Sequence, residues 1–192
     1  ALGLHSLQHR GKEGAGIVTF DGKNFNGVRS QGLVSNTFAK PEIINQLPGK
    51  NAVGHVRYST QGESIDKNIQ PLFADLAAGG FACAHNGNLI NAVEIRKELI
   101  KKGAIFQTTS DTETILQLVA LSRKKLIRDK LIDALKKIKG AYSLVILTNK
   151  KLIGVRDPYG IRPLVLGIKD GSYVLASETC ALNIIGADYV RD

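Results

Sequence analysis

Short apolar runs bounded by turn residues predict strands over residues 15–20, 25–34 and 51–58. The first two are joined by a hairpin turn at Asp21-Gly22. Ahead of them, Leu2, Leu4 and Leu7 recur at helical spacing, and Gly11 is placed to end that helix. Residues 9–14 follow it as a charged, glycine-bounded loop. Pro41 suits the first turn of a short helix reaching Leu47. The apolar residues Phe81 to Ala84 read as the end of a buried strand, which Asn86-Gly87 is expected to turn sharply. Asn91 with Glu94 and Ser110 with Glu113 look like capping pairs that open two helices. Gly103 closes the first, and the second carries Ile115, Leu116, Leu118, Val119 and Leu121. Leu126, Ile127, Leu131, Ile132, Leu135 and Ile138 mark a third helix by their spacing. Four strands then follow at residues 141–148, 152–156, 163–168 and 173–176. Their turns fall at Asn149-Lys150, Asp157-Pro158-Tyr159-Gly160 and Asp170-Gly171. Ser177 and Glu178 begin a last helix.

Hairpin-linked strands at each end therefore flank helices in the middle. That order excludes a doubly wound parallel sheet and predicts an α+β fold of stacked antiparallel sheets covered by helices. The chain shows no repeat, linker or low-complexity tract, so its 192 residues are read as one domain with room for a substantial core. No apolar run approaches the length of a membrane span, and the first residues do not read as a secretory signal. The two cysteines, Cys83 and Cys180, are far apart with no CxxC and no His/Cys cluster, which points to a reducing, cytoplasmic setting and no metal site.

A net charge of +9 raises the question of nucleic acid, and its distribution answers it. Residues 123–139 hold eight basic side chains against Asp129 and Asp133, so +6 of the +9 lies in one helical segment. With no aromatic residue there to stack on bases, a solvated helix face is the reading, with a weak electrostatic docking site second.

Three sets of residues could carry chemistry. The Asn86 carboxamide and a Gly87 N–H are two donors side by side, as an oxyanion hole requires, although Asn-Gly alone is also an ordinary hairpin turn. Arg57 ends a strand beside the polar loop of Ser59, Thr60, Gln61 and Gly62, where it could clamp a carboxylate or simply pair with an acidic surface neighbour. Asp111 lies in the first turn of a helix, favoured there by the helix dipole and also able to hold an ammonium group. An arginine plus an aspartate is the minimal pair for reading an amino-acid zwitterion, and with oxyanion donors it suggests acyl chemistry on the side chain. The residues alone supply no nucleophile: Cys83 and Cys180 both read as packing, and no Cys-His dyad follows from spacing.

Five stretches occur in one order: LQHRGKEGAGI at residues 7–17, GHVRYST at 54–60, HNGNL at 85–89, SDTE at 110–113 and RDPYGIRPL at 156–164. Together they resemble the glutaminase domain of the amidophosphoribosyltransferase family, class II glutamine amidotransferases of the N-terminal nucleophile hydrolase type. The resemblance covers essentially the whole chain and implies a four-layer αββα sandwich of two antiparallel sheets. It further implies that residues 1–192 are a glutaminase domain, incomplete at the N-terminus and lacking a C-terminal phosphoribosyltransferase domain. The implied reaction converts glutamine to glutamate and ammonia through a γ-glutamyl thioester. Ammonia would then pass to phosphoribosyl pyrophosphate, giving phosphoribosylamine in the first step of purine synthesis.

Position by position, Asn86 and Gly87 match the family's oxyanion hole. Arg57 matches the residue that binds the glutamine α-carboxylate, with Tyr58 and Thr60 in the same closing loop. Asp111 matches the acid that holds the α-ammonium group, and Arg10 an arginine beside the nucleophile. The family's nucleophile is a cysteine at the mature N-terminus, whose own α-amine is the general base. Neither Cys83 nor Cys180 matches it, so a short preceding segment is expected. Gly14 stands where a serine or other small residue is usual. No cofactor is expected in this domain, and magnesium is expected in the phosphoribosyltransferase domain. The implied partners are glutamine, phosphoribosyl pyrophosphate and further copies of the intact chain, with neither nucleic acid nor membrane. Glucosamine-6-phosphate synthase, glutamate synthase and asparagine synthetase carry related glutaminase domains and are the nearest competing assignments. A silent glutamine-binding or protein-interaction module is the alternative of a different class.

Overall fold

A computed structural model describes residues 1–58 and 66–192. Helix α1 (Leu2–Ser6) and a single 3-10 turn (Gln8–Arg10) lead into the hairpin of β1 (Gly14–Phe20) and β2 (Phe25–Gln31). The short helices α2 (Val34–Phe38) and α3 (Pro41–Ile44) follow, and β3 (Asn51–Arg57) then returns to pair with the other edge of β1. Strands β4 (Leu72–Leu76) and β5 (Gly79–Leu89) form a second hairpin. After α4 (Ala92–Lys101), α5 (Asp111–Leu121) and α6 (Ile127–Leu135), the chain adds β6 (Gly140–Thr148) and β7 (Leu152–Arg156) to that hairpin, giving the antiparallel order β4-β5-β6-β7. Strands β8 (Val165–Lys169), β9 (Ser172–Ala176) and β10 (Asp188–Arg191), with α7 (Thr179–Ile185), complete the fold as a sheet of order β10-β8-β9.

Side-chain alternation sorts these elements into layers. On β1, Ala15 and Ile17 face one way, into a core shared with Leu7, Val34, Phe38, Val56, Val165, Ala181 and Leu182, which is covered by α1, α2 and α7. Val18 and Phe20 face the other way and meet Val53, Ala82, Ala84 and Leu147 between the sheets. The far faces of β5 and β6 present Phe81, Cys83, Tyr142, Leu144 and Ile146 to Leu99, Ile115, Leu116, Val119, Leu131 and Ala134 of the three middle helices. Helices, sheets, sheets and helices thus stack in that order, as the αββα expectation requires. Every residue of β1 is buried, consistent with a central strand covered on both faces.

Several local expectations are corrected. The second strand stops at Gln31, not Val34, because Gly32 takes a φ of +86° and breaks the ladder. Val34 instead opens α2, its N–H donated to the side-chain oxygen of Gln8 at 2.7 Å. Asn86-Gly87 is not a turn: β5 runs straight through it in unbroken register, from Phe81 opposite Thr148 to Leu89 opposite Gly140. A nine-residue partner strand outweighs the local preference of an Asn-Gly pair. Asn91 occupies the cap position of α4 without capping it, since its amide and carbonyl reach Lys137 O and Lys139 N at 2.9 Å each. Ser110 does cap α5, accepting from Thr112 N–H, whereas Glu113 turns back to the N–H groups of Gln107 and Thr108. On α6 the apolar stripe is narrower than its spacing suggested: Leu131 is buried, while Leu126 and Ile132 are exposed. The edge strands β4 and β10 carried too little alternation to be read as strands from the sequence.

Candidate active site

The space between the sheets is filled at one end and open at the other. On β3 the inward side chains run Val53, His55, Arg57, and on β5 they run Ala82, Ala84, Asn86. Ser143 takes the corresponding position on β6, opposite Asn86. On β1 the series Phe20, Val18 ends in Gly16 and Gly14. Large apolar groups therefore give way to small and polar ones, and a cavity of about 310 Å3 opens where they do. Arg10, His55, Arg57, Tyr58, His85, Asn86, Gly87, Asp111, Ser143 and Arg162 all line it. Six of the seven residues singled out in the sequence thus meet in one place; the seventh, Thr60, lies outside the described residues.

Arg57 is not the surface arginine its type suggests. It is 4% exposed, donates to Asn68 O at 2.9 Å and has Glu13 Oε2 4.0 Å from its Nε. Burial lowers the pKa of its guanidinium, and the carboxylates of Glu13 and Asp111 oppose that shift. Asp111 accepts from Leu89 N–H at 3.0 Å and lies 3.5 Å from His85 Nδ1. Burial disfavours its charge, but hydrogen bonds from His85 and from the N–H groups of Leu89 and Thr112 prevail, and its pKa falls below the usual carboxylate value. Asp111 is thus held as a carboxylate in a nearly dry position. Arg10 is ion-paired to Glu178 at the start of α7, whose second oxygen meets His9 Nε2 at 3.0 Å. Tyr58 is 68% exposed at the rim.

Gly87 is placed by the ladder geometry. Tyr142, its partner on β6, turns both backbone groups to Asp157: its N–H donates to Oδ2 and its carbonyl accepts from Asp157 N–H. Tyr142 and Gly87 are therefore a pair that exchanges no hydrogen bonds, and Gly87 directs its N–H to the opposite edge of β5. At that edge His85 N–H donates to Gln70 Oε1 and Leu89 N–H donates to Asp111 Oδ2. The Gly87 N–H lies between them, beyond Leu72, the first residue of β4, which pairs with Cys83. Asn86 Nδ2 is buried with no partner among the described residues, and so are His55 Nδ1, His85 Nε2 and Arg162 Nε. Unpaired buried polar atoms are costly, so their convergence on one cavity marks a place built for a polar ligand.

Sequence reasoning missed the supporting groups. Gln70 braces the His85 backbone, Asn68 exchanges hydrogen bonds with Thr109, and His85 itself links Asp111 to Thr112. Only His85 had a signal, being next to Asn86 in a quoted motif. The thiol of Cys83 has its pKa pushed up to about 12 by complete burial and is packing, as expected.

His55 offers a test of the buried network that needs no substrate. Its Nε2 lies 3.2 Å from His85 O, and burial, joined by His85, pushes its pKa down from 6.5 to about 4. A base whose pKa is lower folded than unfolded gives stability that is complete above the unfolded value and is lost as pH falls. Stability should therefore drop between about pH 6.5 and 4, by about 3 kcal/mol from this group. Urea melts across that range measure it, and a His55→Gln variant should show a shallower slope. An unchanged slope would remove His55 as the source.

Comparison with known proteins bears on this geometry. The glutamine amidotransferase domain family matches residues 55–183. An amidophosphoribosyltransferase of Rhizobium etli is 54% identical over the whole chain, and one of Bacillus subtilis is 46% identical over 99% of it. The chain spans about two fifths of the length of each: 39% of the first and 40% of the second. The solved glutamine phosphoribosylpyrophosphate amidotransferase of B. subtilis, complexed with ADP and GMP, superposes with a TM-score of 0.92 at 44% identity. That match covers 99% of this chain and 41% of the other. A second structure, described as the allosteric regulatory enzyme of purine biosynthesis, gives a TM-score of 0.94 at 45% identity, again over 99% of this chain and 41% of the other.

Proposed function

Since this chain belongs to the glutamine amidotransferase domain family, we propose that it binds glutamine in the inter-sheet cavity and releases the amide nitrogen as ammonia. The observation that carries this is the unpartnered Asn86 Nδ2 beside an outward Gly87 N–H, in one cavity with the buried Arg57 and Asp111. Arg57 takes the α-carboxylate and Asp111 the α-ammonium group, fixing the head of the amino acid. Asn86 and Gly87 then meet the amide oxygen, and both bonds strengthen as that oxygen becomes negative. Tyr58, at the rim, closes the mouth, and Arg10, held by Glu178, steadies the wall beside the nucleophile.

In this reading the nucleophile is the thiolate of a cysteine at the mature N-terminus, with its own α-amine as base. Sulfur adds to the side-chain amide carbon, Cδ, the carbon–nitrogen bond breaks, and nitrogen leaves as ammonia with the proton the amine has carried. Water then cleaves the thioester to give glutamate. In the whole protein the ammonia goes to phosphoribosyl pyrophosphate to form phosphoribosylamine, the first step of purine biosynthesis. The names of the relatives, two of them at 54% and 46% identity, support this assignment over other glutaminase-bearing enzymes. The magnesium expected with phosphoribosyl pyrophosphate belongs to that acceptor site, and the setting we assign is the cytoplasm or an organelle interior of similar chemistry. No helix among the described residues is long and apolar enough to cross a membrane.

The test is incubation of the full-length protein, native N-terminus intact, with glutamine. We expect glutamate and ammonia in equal amounts and, after acid quenching, a γ-glutamyl adduct on the N-terminal peptide by mass spectrometry. Glutamine binding without ammonia release would favour a silent binding module. Failure to bind glutamine would overturn the reading.

A further inference from the structure

The stretch RDPYGIRPL at residues 156–164 has no part in the chemistry above, and the fold gives it one. Asp157 is buried, and its two carboxylate oxygens accept from the N–H groups of Tyr142, Tyr159, Ile161 and Arg162. These bonds hold its pKa below the usual carboxylate value although burial alone would raise it. Arg156 clasps the same loop from the other side, donating to Gly160 O at 2.9 Å and to Arg162 O at 2.8 Å. Ser143 Oγ donates to Arg162 O at 3.0 Å. Residues 157–162 are thus pinned by two charged side chains, and the residue they deliver to the cavity is Arg162.

We propose that Arg162 is an anion-binding residue for the amide end of the substrate. Three arginines line the cavity. Arg10 is committed to Glu178, and Arg57 serves the α-carboxylate at the head of the substrate. Arg162 has a buried Nε with no hydrogen-bond partner among the described residues. Its position along the cavity follows from the ladder, because Ser143, which holds its carbonyl, is the residue directly opposite Asn86. Its backbone is therefore anchored at the Asn86 end of the cavity that both residues line. Negative charge appears there twice, on the oxygen of the tetrahedral adduct and on the γ-carboxylate of the product glutamate. A guanidinium suits both, since charge-assisted bonds to an oxyanion are stronger than neutral ones.

This inference rests on the glutaminase reading, and the experiment separates the two. In the full-length protein, Arg162→Gln should lower kcat for glutamine hydrolysis by about 10–100-fold with KM within about threefold. Inhibition by added glutamate should weaken by about tenfold, because the γ-carboxylate loses its cation. Arg162→Lys should recover part of both effects, and urea midpoints of the two variants show whether each is folded. A rise in KM with kcat unchanged would move Arg162 to the head of the substrate and overturn the proposal. Folded variants with unaltered kinetics and unaltered glutamate inhibition would also overturn it. A wild-type protein that releases no ammonia would instead overturn the glutaminase reading beneath it.

Discussion

Alanine at position 86 is expected to cost the full-length protein about 10²–10³-fold in kcat for glutamine hydrolysis while KM stays within about threefold. The asymmetry has a structural origin. Asn86 Nδ2 is buried and makes no hydrogen bond among the described residues, so the Asn86→Ala chain loses no native bond there. Its urea midpoint should stay near that of the wild type and can rise slightly, as a costly unpaired donor is removed. A donor that is idle in the folded chain and engaged only by developing charge stabilises the transition state and little else. Steady-state kinetics with a parallel urea melt decide the matter. A large KM increase at constant kcat would place Asn86 in ordinary substrate binding and sink its assignment to the oxyanion hole.

Replacing the neighbouring Gly87 by alanine should do different damage, through the backbone. Gly87 has a φ of +153°, where an L side chain is strained. A Cβ there would collide with the carbonyl oxygen of Ala141 and lie 2.7 Å from Tyr142 Cα and 2.9 Å from His85 Nε2. Two of those neighbours are backbone of β6 in the middle of the sheet and cannot swing aside. We expect a loss of about 3–5 kcal/mol in unfolding free energy. Activity should be lost in the fraction that folds, since any relief of the clash re-aims the Gly87 N–H. Denaturant melts and ammonia release by the folded fraction measure the two effects. A Gly87→Ala protein of wild-type stability would show that β5 and β6 are not closely enough apposed at Tyr142 to exclude a methyl group.

What could be read from the sequence, and what could not, divides along the range of the interactions involved. Strands β1, β3, β6 and β7 were legible because their apolar runs are bounded by local turn residues. Helix α5 was legible from Ser110, whose cap needs only the next few residues. Misreadings arose where distant partners decided the outcome. The turn expected at Asn86-Gly87 is overruled by β6, which begins more than fifty residues later. The cap expected from Asn91 is diverted to Lys137 and Lys139. At the site, Arg57 and Asp111 were visible through motif order, yet their burial and their links to Asn68, Glu13 and Leu89 depend on tertiary contact. Arg162 was quoted with its motif and given no role, because its value lies in a loop geometry that only Asp157 and Arg156 together create.

The thin apolar layer between the sheets, made of Val18, Phe20, Val53, Ala82, Ala84 and Leu147, has a consequence of its own. Arg57 is carried by the sheet on one side of that layer, and Asn86 by the sheet on the other. The size of six buried side chains thus sets the separation between the group that takes one end of a ligand and the group that takes the other. The layer acts as a calliper: two sheets held about 10 Å apart admit an amino acid of one reach and leave one a methylene shorter or longer misaligned with Asn86.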